Sequence, residues 1–259
     1  MGKVIAVSNQ KGGVGKSTTV CNLAAVFGAR GEKLLIIDFD PQGNTTTSYG
    51  IAKRSIRNTV YDVLMGDCQL FEAVTATAYR GVSVVPTTQD LAGAAVQLMT
   101  MEDRAGRLRE KLTQAREFYD RIFIDCPPTL DMLTINALVA ADSVIIPLQC
   151  EFLSLEGLVE LHNTINRVRD TWNKQLIVEG ILFTMCVDRY KITGQIIGEV
   201  KSHFPKEVFS TTIPRNVAIS EAPSFGALVI YYEKRSKGAK AYEELGREMI
   251  KREKKRKKQ

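Results

Sequence analysis

The sequence predicts an α/β fold of three layers, in which a mostly parallel, twisted sheet carries helices on both faces. Short runs rich in Val and Ile alternate along the chain with longer amphipathic stretches. The runs are apolar at consecutive residues, which is typical of strands buried on both faces. Strands that alternate with helices form right-handed βαβ units, and these units place helices on both sides of a parallel sheet.

Six strands are predicted from the apolar runs and six helices from the amphipathic stretches. The strands are Val4–Ser8, Leu34–Asp38, Val82–Val85, Ile122–Asp125, Val144–Pro147 and Ile177–Phe183. The helices are Ser17–Ala29, Leu91–Met99, Arg104–Glu117, Leu133–Ala140, Leu155–Thr171 and Ile192–Phe204. Residues 45–80 are expected to form short helices. Because neither a repeat nor a Ser/Gly-rich linker divides the chain, residues 1–250 are expected to form a single domain.

The net charge of the chain is concentrated at its C-terminal end. The 259 residues contain 35 Lys and Arg against 29 Asp and Glu, a formal net charge of +6. Residues 251–259 read KREKKRKKQ, with seven basic residues and one acid, and they account for the whole excess. This pattern predicts a neutral globular body with a polybasic, disordered tail at 251–259. A solvated terminus kept for solubility is the simpler interpretation of such a tail.

The composition excludes several classes of protein. Apolar residues make up 44% and charged residues 25% of the chain, so a mainly disordered protein is excluded. No apolar stretch reaches the roughly 18 residues that a transmembrane helix needs. Five cysteines without a C-x-x-C pair indicate reduced cytosolic thiols, and two isolated histidines argue against a zinc site.

A glycine-rich segment, SNQKGGVGKSTT, follows the first predicted strand and leads into a helix. Its glycines allow a tight turn whose N–H groups face phosphate oxygens, and the helix adds the positive end of its dipole. Lys16 is expected to reach the β- and γ-phosphates, and the Ser17 hydroxyl to bind Mg²⁺. The usual pattern G-x-x-x-x-G-K-[ST] is not met, because Gln10 replaces the first glycine and an additional lysine follows it. The expected phosphate-binding residues are Lys11, Gly12, Gly13, Val14, Gly15, Lys16, Ser17 and Thr18.

Acidic residues follow two other predicted strands. Asp125 ends the strand RIFID, a position from which an Asp holds Mg²⁺ in phosphate-loop enzymes. Asp40 opens a loop that suits a residue orienting the water that attacks the γ-phosphate. Ser17, Asp40 and Asp125 are therefore the predicted metal-binding residues. For Asp38 and Asp131, a turn or helix cap is the simpler interpretation.

These motifs together resemble the ParA/Soj group of deviant Walker A ATPases. The likeness runs from residue 2 to about residue 250, and the segments DPQGN and PRN…SEAPS distinguish this group from the related MinD-type membrane ATPases. The matching segments are KGGVGKST (11–18), DFDPQGN (38–44), DCPP (125–128), EFLSLEGL (151–158), IPRNVAISEAPSFG (213–226) and RSKGAKAY (235–242).

The resemblance implies a P-loop NTPase-like fold and an enzyme that hydrolyses ATP with Mg²⁺ as an ATP-bound sandwich homodimer. Lys11 is then the signature lysine that crosses the interface to the partner's phosphates. It joins Lys16, Asp40 and Asp125 as a catalytic residue. Pro214 and Asn216 then line the adenine pocket.

The resemblance also implies a cytoplasmic, nucleoid-associated protein. Its ATP dimer would bind double-stranded DNA nonspecifically, and a ParB-type partner would stimulate hydrolysis and so release the DNA. Many relatives carry an Arg on the DNA-binding face where this chain has Ala218, and we interpret the polybasic end as a replacement for that charge. Contacts of Lys and Arg with phosphates are independent of base sequence. The candidate contacts are Arg189, Lys191, Arg215, Lys234, Arg235, Lys254, Lys255, Arg256, Lys257 and Lys258.

Two other classes of function remain alternatives. One is a MinD-like ATPase at a membrane surface, but the chain has no apolar residue beyond Ile250, which disfavours insertion into lipid. The other is a small-molecule P-loop synthetase or kinase, which would need an acceptor pocket that no residue of the sequence demands. Chromosome, plasmid and protein-cluster positioning share the same ATPase core, so the cargo stays open.

Overall fold

A computed structural model describes residues 1–151, 154–187 and 189–258. Phe152 and Leu153 of the segment EFLSLEGL, together with Asp188 and Gln259, lie outside the described residues. The strands are β1 (Lys3–Val7), β2 (Leu34–Asp38), β3 (Thr75–Ala76), β4 (Val82–Val85), β5 (Arg121–Asp125), β6 (Ser143–Gln149) and β7 (Ile177–Thr184).

The strands form one sheet in the order β3–β4–β2–β5–β1–β6–β7. Neighbouring strands pair in parallel, except that β3 pairs antiparallel with β4 at one edge. The mostly parallel sheet is therefore confirmed, and each of the six predicted strands agrees with the structure to within two residues at either end. The sequence did not predict β3, because two residues are too short to show a period.

Helices fill the connections between the strands and the segment that follows β7. They are α1 (Lys16–Ala29), α2 (Asn44–Ser48), α3 (Val60–Met65), α4 (Leu70–Ala73), α5 (Leu91–Leu98), α6 (Arg107–Leu112), α7 (Ala115–Phe118), α8 (Met132–Ala140), α9 (Ser154–Thr171), α10 (Lys191–His203), α11 (Val217–Glu221), α12 (Val229–Tyr232) and α13 (Lys237–Arg256). The short helices expected within residues 45–80 are present. The single helix predicted at Arg104–Glu117 is wrong, because the chain tightens after α6, where Thr113 N donates to Glu110 O only three residues back.

The core has two halves, one on each face of the sheet. Along β1, Ile5 and Val7 face the side of α1 and α13, whereas Val4 and Ala6 face the side of α8 and α9. This alternation explains why the strands are apolar at consecutive residues, since each strand contributes to both halves. The three-layer arrangement predicted from the sequence is confirmed.

Helix α13 corrects the expectation of a disordered tail. Tyr242, Leu245 and Met249 are buried against the domain, as their spacing predicts. The helix, 20 residues long in all, does not stop there but continues to Arg256, so the prediction of disorder is wrong for residues 251–256. Within the described residues, no helix combines the length and the apolar character that are needed to span a membrane.

Ion pairs at the amino edge of the sheet hold this last part of α13. Glu253 accepts hydrogen bonds from both terminal nitrogens of Arg121, the first residue of β5, at 2.5 and 2.8 Å. Its Oε1 also lies 3.0 Å from Lys3 Nζ, at the start of β1. Arg256 pairs at 2.9 Å with Glu179, a fully buried residue near the start of β7 that also pairs with Lys3 at 2.6 Å. We call Lys3, Arg121, Glu179, Glu253 and Arg256 the amino-edge clamp.

The clamp explains why a charged segment is ordered. Burial would raise the pKa of Glu253, but hydrogen bonds and charges from Arg121 and Lys3 outweigh burial and lower that pKa to about 2. The carboxylate is therefore ionised and paired at any physiological pH. The guanidinium of Arg121 also stacks on the Phe27 ring of α1, 4.2 Å from its centroid.

Replacing Glu253 with Gln is expected to lower the free energy of unfolding by about 2 kcal/mol, because Arg121 and Lys3 lose the carboxylate that they share. The folded-state pKa of about 2 lies below the ordinary 4.5, so the contribution is complete above pH 4.5 and is lost as the pH falls towards 2. Urea unfolding at neutral and acidic pH measures both effects.

Glu244→Gln is the matched control, since Glu244 lies on the exposed side of the same helix. It should leave the urea midpoint nearly unchanged. Equal midpoints for the Glu253 and Glu244 variants at neutral pH would contradict a role for the clamp.

Candidate functional site

Three loops that carry the predicted motifs meet at the carboxyl edge of the sheet. They follow β1, β5 and β2, which are adjacent strands. The register places Asp125 beside Val7 on one side and beside Asp38 on the other. The structure therefore brings the glycine-rich loop and the acidic residues together, as the parallel sheet predicts.

Side chains from the neighbouring strands fix the glycine-rich loop. Gly13 and Gly15 have φ angles of 73° and 87°, the left-handed region that glycine adopts at no steric cost. Thr184 Oγ1 donates to Val14 O at 2.8 Å, and Gln149 Nε2 donates to Gly13 O at 3.0 Å. Gly15 then begins α1. A turn of this kind at a helix N-terminus forms an anion-binding concavity.

Lys16 is a buried cation in this loop. Its side chain is almost inaccessible, and Nζ donates to Lys11 O at 3.2 Å. Burial lowers the pKa of Lys16, whereas the charges of Asp125 and Asp40 raise it. The ammonium group thus depends on the neighbouring carboxylates, and an anionic ligand in the loop would stabilise its charge further.

Asp38 and Asp125 are fully buried carboxyl groups on adjacent strands. Asp125 Oδ2 accepts a hydrogen bond from Thr45 Oγ1 at 2.7 Å, and Asp38 Oδ2 accepts from the backbone and side chain of Thr46 at 2.7 and 2.6 Å. Burial raises the pKa of both groups, and the charge of Asp125 raises that of Asp38 further. Asp38 thus ties β2 to the start of α2, which agrees with its interpretation as a cap.

Asp40 is buried and lines the same site. Its Oδ1 accepts a hydrogen bond from Gln42 N at 3.0 Å, which orients the carboxylate. Burial raises the pKa of Asp40, while the Gln42 hydrogen bond and the charge of Lys16 lower it. Asp131, in contrast, caps α8 by accepting from Leu133 N at 2.9 Å, as expected for a structural aspartate.

The oxygens at this edge suit Mg²⁺ bound together with phosphates. Asp125 Oδ1 is buried and has no hydrogen-bond partner among the residues that the structure describes, and the Ser17 hydroxyl is close enough to Asp125 to oppose the rise of its pKa. The described residues contain no group of three His, Cys, Asp or Glu side chains that could hold a metal by themselves. A cation here would therefore take further oxygens from phosphate groups and water, as Mg²⁺ usually does.

Two adjoining cavities extend from the loop. The first, of about 480 Å³, is lined by the glycine-rich loop, Asp40 and the start of α2. The second, of about 280 Å³, is lined by Pro214, Asn216 and Tyr242 among others. The residues that line both cavities are Gly15, Thr18, Met185 and Pro223. The two cavities form a continuous cleft: one end is lined by the glycine-rich loop, and the other, which we call the apolar end, carries Ile213, Ile219 and Tyr242.

Lys11 lies apart from this cleft. It lines a neighbouring cavity of about 450 Å³ with Pro128 and Glu160, and its ammonium group forms an ion pair with Glu151. The side chain remains about one-third exposed. Lys11 therefore does not reach the phosphate end of its own chain's cleft, whereas Lys16 does.

The candidate DNA contacts fall into two separate groups. Arg189, Lys191, Arg215, Lys234 and Arg235 are exposed near the carboxyl edge. Lys254, Lys255, Lys257 and Lys258 are exposed at the far end of α13, near the amino edge. Arg256 forms an ion pair with Glu179 in the clamp, and its side chain remains about one-third exposed. Ala218 is buried, so its methyl group faces the domain interior.

Some residues of the site were not singled out from the sequence. They lie at the ends of β6 and β7 and in the loop after Asp40: Thr45, Thr46, Gln149, Glu151, Thr184 and Met185. The rule that ligands bind beyond the carboxyl ends of parallel strands applies to β6 and β7 as well, and it would have identified four of them. The two threonines carry no distinguishing sequence signal.

The chain is similar to known proteins over nearly its whole length. A family model described as an AAA domain matches residues 2–178. Over 249 residues the chain is 47% identical to the sporulation initiation inhibitor protein Soj of Bacillus subtilis (strain 168), with 96% of this chain and 98% of that protein covered. Over 253 residues it is 48% identical to the chromosome partitioning protein ParA of Myxococcus xanthus (strain DK1622), with 98% and 89% covered.

A solved structure is also similar. The crystal structure of cobyrinic acid a,c-diamide synthase from Mycobacterium smegmatis with bound ADP and magnesium has a TM-score of 0.87 and 34% sequence identity. The alignment covers 98% of this chain and 96% of that chain. The α/β architecture, with its ligand cleft at the carboxyl edge, therefore agrees with a structure that was solved with a nucleotide and magnesium.

Without nucleotide and Mg²⁺, the free energy of unfolding is expected to fall as the pH rises from 3.8 towards about 8. The reason is that buried Asp38 keeps its proton in the folded state at pH values where the unfolded chain has released it. Asp38→Asn cannot ionise and keeps an acceptor for Thr46. In this variant the free energy of unfolding should therefore fall less steeply with pH, by up to ~1.4 kcal/mol per pH unit. Urea unfolding in EDTA across this pH range measures it.

The control for this experiment is Asp131→Asn, which changes a carboxyl group outside the site. Its stability should fall with pH in parallel with the wild-type chain. If the Asp38→Asn curve were also parallel, Asp38 would not be the group that holds the proton.

Proposed function

The chain belongs to the Soj/ParA family of partitioning ATPases, and on that premise we propose that it moves DNA by a cycle of ATP-dependent dimerisation and DNA binding. It is an ATPase that uses ATP and Mg²⁺ and yields ADP and phosphate. In the proposed cycle the ATP-bound homodimer binds double-stranded DNA nonspecifically. A ParB-type partner stimulates hydrolysis, and the resulting ADP form releases the DNA. The single observation that carries this proposal is an identity of 46–48% with Soj and ParA proteins over nearly the whole chain.

The residues of the cleft suggest a division of roles. The glycine-rich loop and Lys16 hold the phosphates, and Ser17 and Asp125 hold Mg²⁺, which neutralises phosphate charge when it is bound. Asp40 positions the attacking water, because its carboxylate is oriented by Gln42 and its raised pKa improves it as a proton acceptor.

The apolar end of the cleft suits a purine base. Asn216 Oδ1 is a buried acceptor for which the described part of the chain provides no hydrogen-bond donor, and Asn216 lines this end together with Pro214. The amino group of adenine can donate to that oxygen, which would relieve the cost of an unpaired buried acceptor. We therefore assign Pro214 and Asn216 to adenine binding.

The position of Lys11 supports action on a second copy of the chain. Its ammonium group is held by Glu151 outside the phosphate end of its own cleft. Since Lys16 already serves that end, Lys11 is free to neutralise the phosphates of a partner subunit once the ion pair with Glu151 opens. Such exposed ion pairs contribute only about 0–1 kcal/mol, so opening this one is not a large barrier.

DNA binding is proposed along α13. The exposed side of α13 and the residues just after it carry seven basic side chains, interrupted by the exposed Glu244, and we call these seven the basic face: Lys237, Lys240, Arg247, Lys251, Lys254, Lys255 and Lys258. The helix is about 30 Å long, since each residue adds about 1.5 Å. The basic face therefore joins the two groups of candidate contacts, with the carboxyl-edge group (Arg189, Lys191, Arg215, Lys234, Arg235) near its start.

The similarity to a protein named cobyrinic acid a,c-diamide synthase favours a second candidate, a small-molecule amide synthase. That activity requires an acceptor carboxylate and a nitrogen donor in addition to ATP. Its ATP consumption would depend on the acceptor and would be indifferent to DNA. ATPase assays with and without DNA, a ParB-type protein and cobyrinic acid distinguish the two. For the membrane-surface alternative, co-sedimentation with anionic vesicles is the corresponding test.

Asp40→Ala is expected to bind ATP and dimerise but to hydrolyse ATP at least ~100-fold more slowly, because the attacking water is no longer positioned. Lys16→Ala is expected to lose nucleotide binding, since the phosphates lose their buried cation. Fluorescent-nucleotide titration, size-exclusion chromatography and phosphate release measure binding, dimerisation and turnover. Asp131→Ala serves as the control outside the site. Normal turnover by Asp40→Ala would refute the assigned role of Asp40.

Lys254→Glu combined with Lys258→Glu is expected to weaken DNA binding in ATP and to reduce the slope of log K against log salt by about 2, because two phosphate contacts are lost. Deleting residues 251–259 is a poorer test, since it also removes Glu253 and Arg256 from the clamp.

Arg167→Glu combined with Lys201→Glu is the matched control, with the same change in charge on α9 and α10 at the opposite face of the sheet. Binding should be compared with ATP, with ADP and without nucleotide. An equal loss in both double variants would mean that only net charge matters, and equal binding in the three nucleotide states would contradict the proposed switch.

A further inference from the structure

Two cysteines that are far apart in sequence meet beside the nucleotide cleft. Cys150 directly follows β6, and Cys186 lies two residues beyond β7; their sulfur atoms are 3.7 Å apart. We propose that Cys150 and Cys186 are a redox modification site, where a hydroperoxide converts the two thiols to a reversible disulfide that weakens nucleotide binding. The second part of this proposal rests on the proposed function of the cleft.

The backbone geometry favours closure of this bond. β6 and β7 are parallel neighbours, with Gln149 opposite Thr184 at their ends. Cys150 and Cys186 follow these adjacent strand ends and are offset by one residue, about 3.3 Å along strands that lie about 4.8 Å apart, which is compatible with the 4.4–6.8 Å between Cα atoms in disulfides. A disulfide has a sulfur–sulfur distance of about 2.05 Å, so the sulfurs need to approach by only about 1.7 Å.

Cys150 has the features of the attacking thiol. A hydrogen bond from Cys186 lowers the pKa of Cys150, which opposes the effect of its burial. Burial instead raises the pKa of Cys21, Cys126 and Cys68. Cys150 is also partly exposed, so a small oxidant can reach it. Thiolates at accessible positions are the ones that hydroperoxides oxidise.

The chemistry balances in two steps. The Cys150 thiolate attacks one oxygen of the hydroperoxide, the O–O bond breaks, and the leaving oxygen takes a proton to become water or an alcohol. Cys150 is then a sulfenic acid, oxidised by two electrons. The Cys186 sulfur attacks that sulfur, the S–O bond breaks, and hydroxide leaves as water with the proton of the Cys186 thiol. The products are one disulfide, one water and one water or alcohol.

The residues on either side of Cys150 connect it to the cleft. Gln149 donates to Gly13 O in the glycine-rich loop, and Glu151 pairs with Lys11. A displacement of Cys150 therefore moves Gln149, which holds the glycine-rich loop, and Glu151, which pairs with Lys11. The disulfide would also tether Glu151 beside Lys11.

Cys186 is connected to the other end of the cleft. Its N–H donates to Ile213 O at 3.0 Å and its carbonyl accepts from Arg215 N at 3.0 Å, which holds Pro214 between them. The residue before it, Met185, has a φ of 52°, and among the described residues it is the only non-glycine with positive φ. A residue with a side chain is strained in this conformation, so a small displacement of Cys186 acts on a strained link beside Pro214.

The test uses the purified full-length chain with hydrogen peroxide as the oxidant. Non-reducing digestion and mass spectrometry should find a peptide pair linked through Cys150 and Cys186, and dithiothreitol should remove it. Affinity for a fluorescent ATP analogue and the ATPase rate are expected to fall about 10- to 100-fold on oxidation, as for displacements of about 1 Å in an active site, and to recover on reduction.

Single replacements separate the parts of the proposal. Cys150→Ser should keep its affinity after peroxide treatment. Cys186→Ser should accumulate sulfinic acid at Cys150 and recover poorly with dithiothreitol, because the resolving thiol is gone. Cys68→Ser is the matched control and should behave like the wild-type chain. Absence of the linked peptide would overturn the modification site, and a linked peptide with unchanged nucleotide affinity would overturn the coupling. A failure to bind DNA would affect neither readout, so it would refute only the partitioning role.

Discussion

The parallel pairing of β1 with β5, and of β5 with β2, is the constraint on which the functional edge depends. It places Asp38 beside Asp125, and Asp125 beside the strand that leads into the glycine-rich loop. The two carboxyl groups are fully buried there. Carboxyl groups crowded in this way repel one another and cannot all ionise at low cost. The buried Lys16 offsets part of that charge, and a divalent cation with phosphates completes the balance. Without such ligands this arrangement of charges is electrostatically unfavourable, which favours the binding of Mg²⁺ and phosphate groups.

At the opposite, amino edge of the sheet, charged side chains of the strands are neutralised by α13. There the first residues of β1 and β5 and a buried glutamate of β7 provide charges that α13 neutralises with Glu253 and Arg256. The same helix begins beside the cleft, where Tyr242 lines the apolar end and Gly238 allows Asn216 to approach closely. Thus α13 connects the nucleotide site with the amino edge. Contacts near both ends of α13 constrain which residues its buried side can carry, whereas the residues on its exposed side are not constrained by packing.

Much of the fold follows from short-range sequence patterns. The strands were predicted closely, because burial on both faces leaves runs such as Leu34–Asp38 that have no other reasonable explanation. The glycine-rich loop and Asp125 were found because they follow such strands. The ordered end of α13 was missed, because a run of charges usually indicates disorder and the partners Arg121 and Glu179 are far away in sequence. The meeting of Cys150 with Cys186 was equally invisible, since it depends on the register of β6 and β7.

The amino-edge clamp also has an evolutionary consequence. Two side chains of the terminal segment, Glu253 and Arg256, are committed to holding the helix in place. Lys254, Lys255, Lys257 and Lys258 are exposed and take no part in the clamp, so substitutions at these positions are expected to have little effect on folding. Lineages can therefore raise or lower the chain's attraction to polyanions one lysine at a time, without first passing through unstable intermediates. Selection can thus change the surface charge of this segment without changing the stability of the domain or its catalytic site.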